Sequence, residues 1–106
     1  MMEINEYQKL ALRTANTKCL DLRNCGLGLC GESGEAADII KKHVYHGHDL
    51  NKDKLIYELG DICWYVAVCA ELLGVGLEEV MQQNVEKLKQ RYPNGFETSK
   101  SINRVI

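Results

Sequence analysis

The chain has 106 residues, of which 45% are hydrophobic and 26% charged, with a formal net charge of −2. That size points to one domain spanning residues 1–106, with a thin core that buries somewhat over ~60% of the unfolded surface. The composition excludes a disordered polymer, the absence of excess Lys or Arg argues against a nucleic-acid polymer as partner, and no apolar run approaches the ~18 residues of a membrane span.

The opening segment MMEINEYQKL is polar and acidic. It lacks the basic region and apolar block of a signal peptide, so a cytoplasmic location is expected. Five cysteines, Cys19, Cys25, Cys30, Cys63 and Cys69, contain no Cys-x-x-Cys pair and fall mostly in apolar runs. They read as reduced, buried small hydrophobes. The single proline, Pro93, favours long helices, and no sustained alternation of polar and apolar residues marks a strand.

A first helix is expected after Asn5, with Asn5 and Gln8 as a capping box and Tyr7, Leu10, Ala11, Thr14 and Ala15 on one face. The stretch from Asn16 to Asn24 reads either as its continuation or as a loosened segment. A second helix is expected from about Gly26 to Tyr45, ended by Gly47. Its first half carries Gly26, Gly28, Gly31 and Gly34, each costing about 1 kcal/mol relative to Ala. Close approach of another helix or of a ligand is the expected reason. A third helix should run from Asn51 or Asp53 to Leu73, with Leu55, Ile56, Leu59, Ile62, Val66 and Ala70 on a broad apolar face. Gly74 and Gly76 break it. A fourth helix is expected from about Leu77 to Tyr92, with Glu78 and Glu79 in its first turn, where the helix dipole favours them. The tail after Glu97 reads as polar and mobile. The fold class is therefore all-α, a bundle of about four helices.

Two acid pairs stand out. Glu32-Ser-Gly-Glu35 and Glu58-Leu-Gly-Asp61 each place carboxylates three residues apart, on one helical face. If the second and third helices pack antiparallel, the offset between the pairs is about one turn, and the four acids converge. Carboxylates ~5 Å apart then repel by about 3 kcal/mol per pair at an effective dielectric of ~20. A divalent cation relieves that repulsion, and all-oxygen ligands favour Mg²⁺, with Mn²⁺ as an alternative. The rival reading is solvated surface charge. Both pairs, however, sit inside apolar stretches, GLGLCGESGEAADII and LIYELGDICWYVAV, where surface acids are out of place.

Glu-x-x-Glu followed by Glu-x-x-Asp resembles the all-α nucleoside triphosphate pyrophosphohydrolases of the MazG type. INEYQKLALRTA resembles the opening helix of that family, GLCGESGEAADIIKKHVYHG its second, KLIYELGDICWYVAV its third and NVEKLKQRYPNGF its closing segment. The resemblance covers most of the chain in order. It implies hydrolysis of a nucleoside or deoxynucleoside triphosphate to monophosphate and pyrophosphate, with Glu32, Glu35, Glu58 and Asp61 holding Mg²⁺ as the catalytic and metal-binding set. It also implies a homodimer or homotetramer whose clefts are completed by a neighbouring subunit, and leaves open either a general clean-up role against non-standard nucleotides or a narrow preference for one pyrimidine deoxynucleotide.

Asn84, Lys87 and Arg91 share one face of the fourth helix and suit a polyphosphate; the alternative is a solvated basic face. Tyr65, one turn after Asp61, resembles a family tyrosine near the acids and serves either sugar or phosphate contact or core packing. Trp64 reads first as packing and second as a base stacker. Lys41 and Lys42 read as solvated.

Other patterns fail on their own chemistry. Gly26-x-Gly28-x-x-Gly31 lacks the preceding strand of a dinucleotide fingerprint. An EF-hand loop from Asp49 would have Lys54 where glycine is required and Gly60 where an acid is required. His43, His46 and His48 cluster in a turn without a Glu-x-x-His spacing and read as loop histidines. The competing functional readings are a nucleotide-binding or regulatory module without turnover and a purely structural helical oligomer.

Overall fold

A computed structural model describes residues 1–106 as five helices and no strand: α1 (Ile4–Leu12), α2 (Leu22–Tyr45), α3 (Lys52–Leu72), α4 (Leu77–Arg91) and α5 (Thr98–Ile102). The all-α expectation holds. α2 and α3 form the long antiparallel pair, joined by a short connection in which Gly47 takes φ 73°. There His43 Nδ1 donates to the His48 carbonyl at 2.8 Å, so this histidine staples the turn. Asn51 caps α3, its Oδ1 accepting from the Lys54 N–H at 3.1 Å.

Several boundaries differ from the sequence reading. α2 starts four residues before Gly26, because Asp21 caps it by accepting from the Arg23 N–H at 2.7 Å. The Arg23 side chain also grips the Asp21 carboxyl, which is pushed down to about 2 by that hydrogen bond first and by the guanidinium charge. Between α1 and α2 the chain does loosen, and Asn16 Oδ1 accepts from the N–H groups of Lys18 and Cys19. The tail read as mobile forms the short α5, and Arg91 Nε donates to the Ile106 carbonyl at 2.7 Å.

The cap of α1 is Glu3 rather than Asn5, with the Glu3 N–H donating to Glu6 Oε2 at 3.3 Å. Asn5 and Gln8 serve a different helix. The N-cap of α4 is Gly76, which has no side chain to offer. Asn5 Oδ1 accepts from the Glu78 N–H at 3.0 Å, and Gln8 Oε1 accepts from the Leu77 N–H at 2.8 Å. Gln8 Nε2 donates in turn to the carbonyls of Ala67 and Val75. The i, i+3 spacing thus puts both amides on one face of α1, where they meet the orphan donors of α4.

Only eight residues are buried: Gln8, Ala11, Cys25, Ala36, Ala67, Val68, Ala70 and Leu77. Cys25 alone among the cysteines is buried; Cys30 and Cys63 are exposed, Cys63 in the open groove beside Tyr7, and all five are free. Ala11, Ala67 and Leu77 form a small core beneath Tyr7, Trp64 and Val66. The Trp64 indole donates to the Ala11 carbonyl and to Thr14 Oγ1, both at 2.9 Å, so packing and tethering of α1 is its observed role. The radius of gyration is 16.7 Å, whereas a compact chain of this length has about 13 Å. Large apolar side chains stay in the open, among them Ile56, Leu59, Val80, Met81, Val85 and Leu88. No single helix is long and apolar enough to cross a membrane.

Gln8 is 4% exposed and satisfies three backbone groups. Its replacement by Leu strands the Leu77 N–H without a partner, at about 1–3 kcal/mol. Urea unfolding of Gln8→Leu is expected to show that loss, and an unchanged midpoint would contradict the role assigned to the amide.

Candidate functional site

The antiparallel pairing of α2 and α3 brings the two acid motifs face to face. Carboxylate oxygens of Glu32, Glu58 and Asp61 lie within 4.8 Å of one another. Glu35 joins them through its side chain. Its carboxyl is raised above the ordinary range, chiefly because it shares a hydrogen bond with Glu58 and feels that group's charge; desolvation and Asp61 push the same way, while a hydrogen bond with Glu32 opposes. The arrangement is a ladder one helical turn deep, with each motif contributing an i, i+3 pair.

The acids are poorly compensated. Glu32 Oε2 and Glu58 Oε2 are buried and have no hydrogen-bond partner. No Lys or Arg forms an ion pair with any of the four; the lysines of α2, Lys41 and Lys42, instead pair with Asp38 at 3.3 and 2.9 Å on an exposed edge. Orphaned, converging carboxylate oxygens are costly to bury, and they form the donor set that hard divalent cations take.

Two clefts open on this cluster. One, lined by Thr14, Glu32, Asp61, Trp64 and Tyr65, lies toward α1. The other, of about 680 Å³, shares Glu35 and Glu58 and extends toward the α2–α3 connection. α1 approaches the first side: the Tyr7 phenol is raised by burial, then by the nearby Cys63 and Asp61. Tyr65 is half-buried, its ring edge-on to Trp64 at 4.9 Å and 84°. It packs, as one of its two sequence readings has it, and it also lines the cleft.

The glycine-rich start of α2 has a specific explanation at one position. A Cβ at Gly28 would lie 2.1 Å from the Tyr65 ring, so only glycine lets the ring seat there. Gly26, Gly31 and Gly34 have nothing within 4 Å of a built Cβ, so no other helix of this chain approaches them closely.

The basic face of α4 stands apart. The chain turns through 99° between α3 and α4, and neither acid-lined cleft includes Asn84, Lys87 or Arg91. Arg91 is occupied with the C-terminal carbonyl. Lys54, His48 and Thr14 line the clefts, although the sequence reading gave none of them a place beside the acids. The available signal for Lys54 was its i−4 relation to Glu58.

An all-helical fold whose two longest helices pool two Glu/Asp-x-x pairs defines a class of acid-cleft helical proteins. Within it, the chain belongs to the MazG nucleotide pyrophosphohydrolase domain family, whose model matches residues 22–96. It is 40% identical over 82 residues to the Gene 37 protein of Mycobacterium phage L5, covering 74% of this chain and 72% of that protein. It is 44% identical over 41 residues to the uncharacterized protein YvdC of Bacillus subtilis (strain 168), covering 39% of each chain. No solved structure matches.

Gly28→Ala gains up to about 1 kcal/mol of helix propensity but must displace the Tyr65 ring. Net destabilisation is expected in thermal unfolding, relieved by pairing it with Tyr65→Ala. Equal stability of Gly28→Ala and the parent chain would show that Tyr65 is free to move.

Proposed function

We propose that this protein hydrolyses a nucleoside or deoxynucleoside triphosphate to the monophosphate and pyrophosphate, using Mg²⁺ or Mn²⁺ held by Glu32, Glu35, Glu58 and Asp61. The observation that carries the reading is the pair of buried, partnerless oxygens, Glu32 Oε2 and Glu58 Oε2, inside a cluster of converging carboxylates. Family membership supports the same class of reaction. A clean-up role in nucleotide pools is part of the proposal.

A bound divalent ion supplies charge neutralisation, polarises the attacked phosphorus and lowers the pKa of a bound water. The chain's own residues do the rest. Water adds to the α-phosphorus, the α–β anhydride bond breaks, and the bridging oxygen leaves with pyrophosphate. A carboxylate of the quartet accepts the water's proton. Tyr65, fixed by Gly28 and Trp64, contacts the sugar or α-phosphate at the α1 side of the acids.

Asn84, Lys87 and Arg91 are proposed as phosphate contacts supplied to a neighbouring subunit's cleft. The apolar groove between α1, α3 and α4, about 440 Å³ and lined by residues such as Ile4, Ile62, Val66 and Met81, calls for cover by a second copy. So do Val85 and Leu88, which continue the Met81 stripe along α4. A homodimer or a dimer of dimers is the reading. Sedimentation velocity is expected to give twice or four times the chain mass at micromolar concentration; a monomer throughout would remove this part of the proposal.

The central test is a panel of triphosphates with Mg²⁺ or Mn²⁺, assayed for pyrophosphate and monophosphate. At least one is expected to be split, with Glu58→Gln and Asp61→Asn reducing kcat/KM on the order of 100-fold or more. Glu58→Gln should also raise the melting temperature of the metal-free chain and lose the stabilisation that Mg²⁺ gives the parent. No pyrophosphate from any triphosphate would defeat the assignment.

A further inference from the structure

The seam between α2 and α3 continues past the acids, and its far end carries thiols. Gly28 on α2 receives the Tyr65 ring of α3. Three residues back along α2 stands Cys25, and four residues on along α3 stands Cys69. Residues so spaced share a helix face, and in an antiparallel pair both steps run the same way, by ~4.5 and ~6 Å. Cys25 and Cys69 therefore form the rung after Gly28 and Tyr65.

Burial agrees with that register. Cys25 and Val68, the sequence neighbour of Cys69, are the largest side chains with no exposure, so the two helices close on each other there. Burial pushes the Cys25 thiol up, and Cys69, then Asp21 and Cys19, push it the same way, which sets both other sulfurs near it. Cys69 and Cys19 are partly exposed. Cys19 lies in the turn before α2, where the Asn24 amide donates to its carbonyl at 3.5 Å. Cys30 and Cys63 are exposed and do not act on Cys25.

The two thiols on the rung divide the work of disulfide exchange. Cys69 is open to a reagent. Cys25 is shielded, and burial keeps it from reacting first, but it stands ready to attack an oxidised neighbour.

We infer that Cys25 and Cys69 are a reversible disulfide site, oxidised by a low-molecular-weight disulfide and reopened by thiols. The Cys69 thiolate attacks one sulfur of the reagent, breaks its S–S bond and releases one thiolate. The Cys25 thiolate then attacks the Cys69 sulfur and releases the second. The protein thiols lose two electrons, the reagent gains them, and the two thiol protons pass to the released thiolates. The new bond ties α2 to α3 at the end opposite the Gly47 connection, and the loop it closes contains Glu32, Glu35, Glu58 and Asp61. The site does not depend on what the acids bind or hydrolyse.

The test uses the full chain carrying Cys30→Ser and Cys63→Ser, so that the exposed thiols do not consume the reagent. The folded protein is incubated with oxidised glutathione, then examined by intact mass, peptide mapping and thermal unfolding. It is expected to lose the mass of two hydrogens, to retain no glutathione on the pair and to yield a Cys25–Cys69 linked peptide. Its melting temperature should rise by roughly 10 °C, the scale of a disulfide closing a long loop, and dithiothreitol should reverse the rise. Adding Cys69→Ser should abolish both the crosslink and the rise. Mapping of the linked peptides decides the pairing even where Cys69→Ser does not fold. The site is overturned by no crosslink, by a crosslink of Cys19 to either thiol, by a Cys25–Cys69 bond that forms only in denaturant, or by a bond that leaves the melting temperature unchanged or lower.

Discussion

Like charges held against each other across a helix seam govern this molecule. Glu32 and Glu35 on α2 face Glu58 and Asp61 on α3, and two of their oxygens are buried without partners. The two helices cannot separate to relieve the repulsion. The short connection at Gly47 joins them, and α1 clamps α3 through the Trp64 indole. The repulsion is thus built into the frame, and what relieves it must come from outside the chain, as a proton or a cation. The same frame fixes the two flanking clefts, because each opens on one rung of the ladder.

Around that seam the packing is economical in apolar burial and generous in polar tethers. Gln8 and Asn5 attach α4 to α1 by hydrogen bonds, and the carbonyls of Ala67 and Val75 complete the set. These contacts set the 99° departure of α4 from α3 and carry its basic face away from the acids. A chain with eight buried residues and an open stripe of Met81, Val85 and Leu88 is half of a packing problem. The polar tethers orient the parts and leave that apolar stripe uncovered within one chain.

Much of this was legible in the sequence where local rules decide. The spans of α3 and α4 followed from Asn51 as cap, the Gly74–Gly76 break and Pro93. The convergence of the acids followed from their i, i+3 spacing and the turn between them. Where the reading erred, a tertiary partner had won. Asn5 and Gln8 look like a capping box for α1, but α4 has Gly76 at its own cap and takes both amides. Of the four glycines in α2, only Gly28 meets another side chain, and nothing near it in the sequence distinguishes it from Gly31. Cys30 and Cys63 sit in apolar runs yet are exposed, since a run of apolar letters does not say which side of a helix is covered.

By itself the sequence determined the four longer helices apart from the start of α2, the acid quartet and the family resemblance, because caps, breakers and periodic spacing act within a few residues. Only the tertiary structure decided that Tyr65 rests on Gly28, that Lys54 lines the cleft beside Glu58 without an ion pair, and that Asn84, Lys87 and Arg91 line neither acid cleft within one chain. Those outcomes depend on how helices distant in sequence cross. The crossing is set by the shapes and hydrogen bonds of whole faces, which no local pattern encodes.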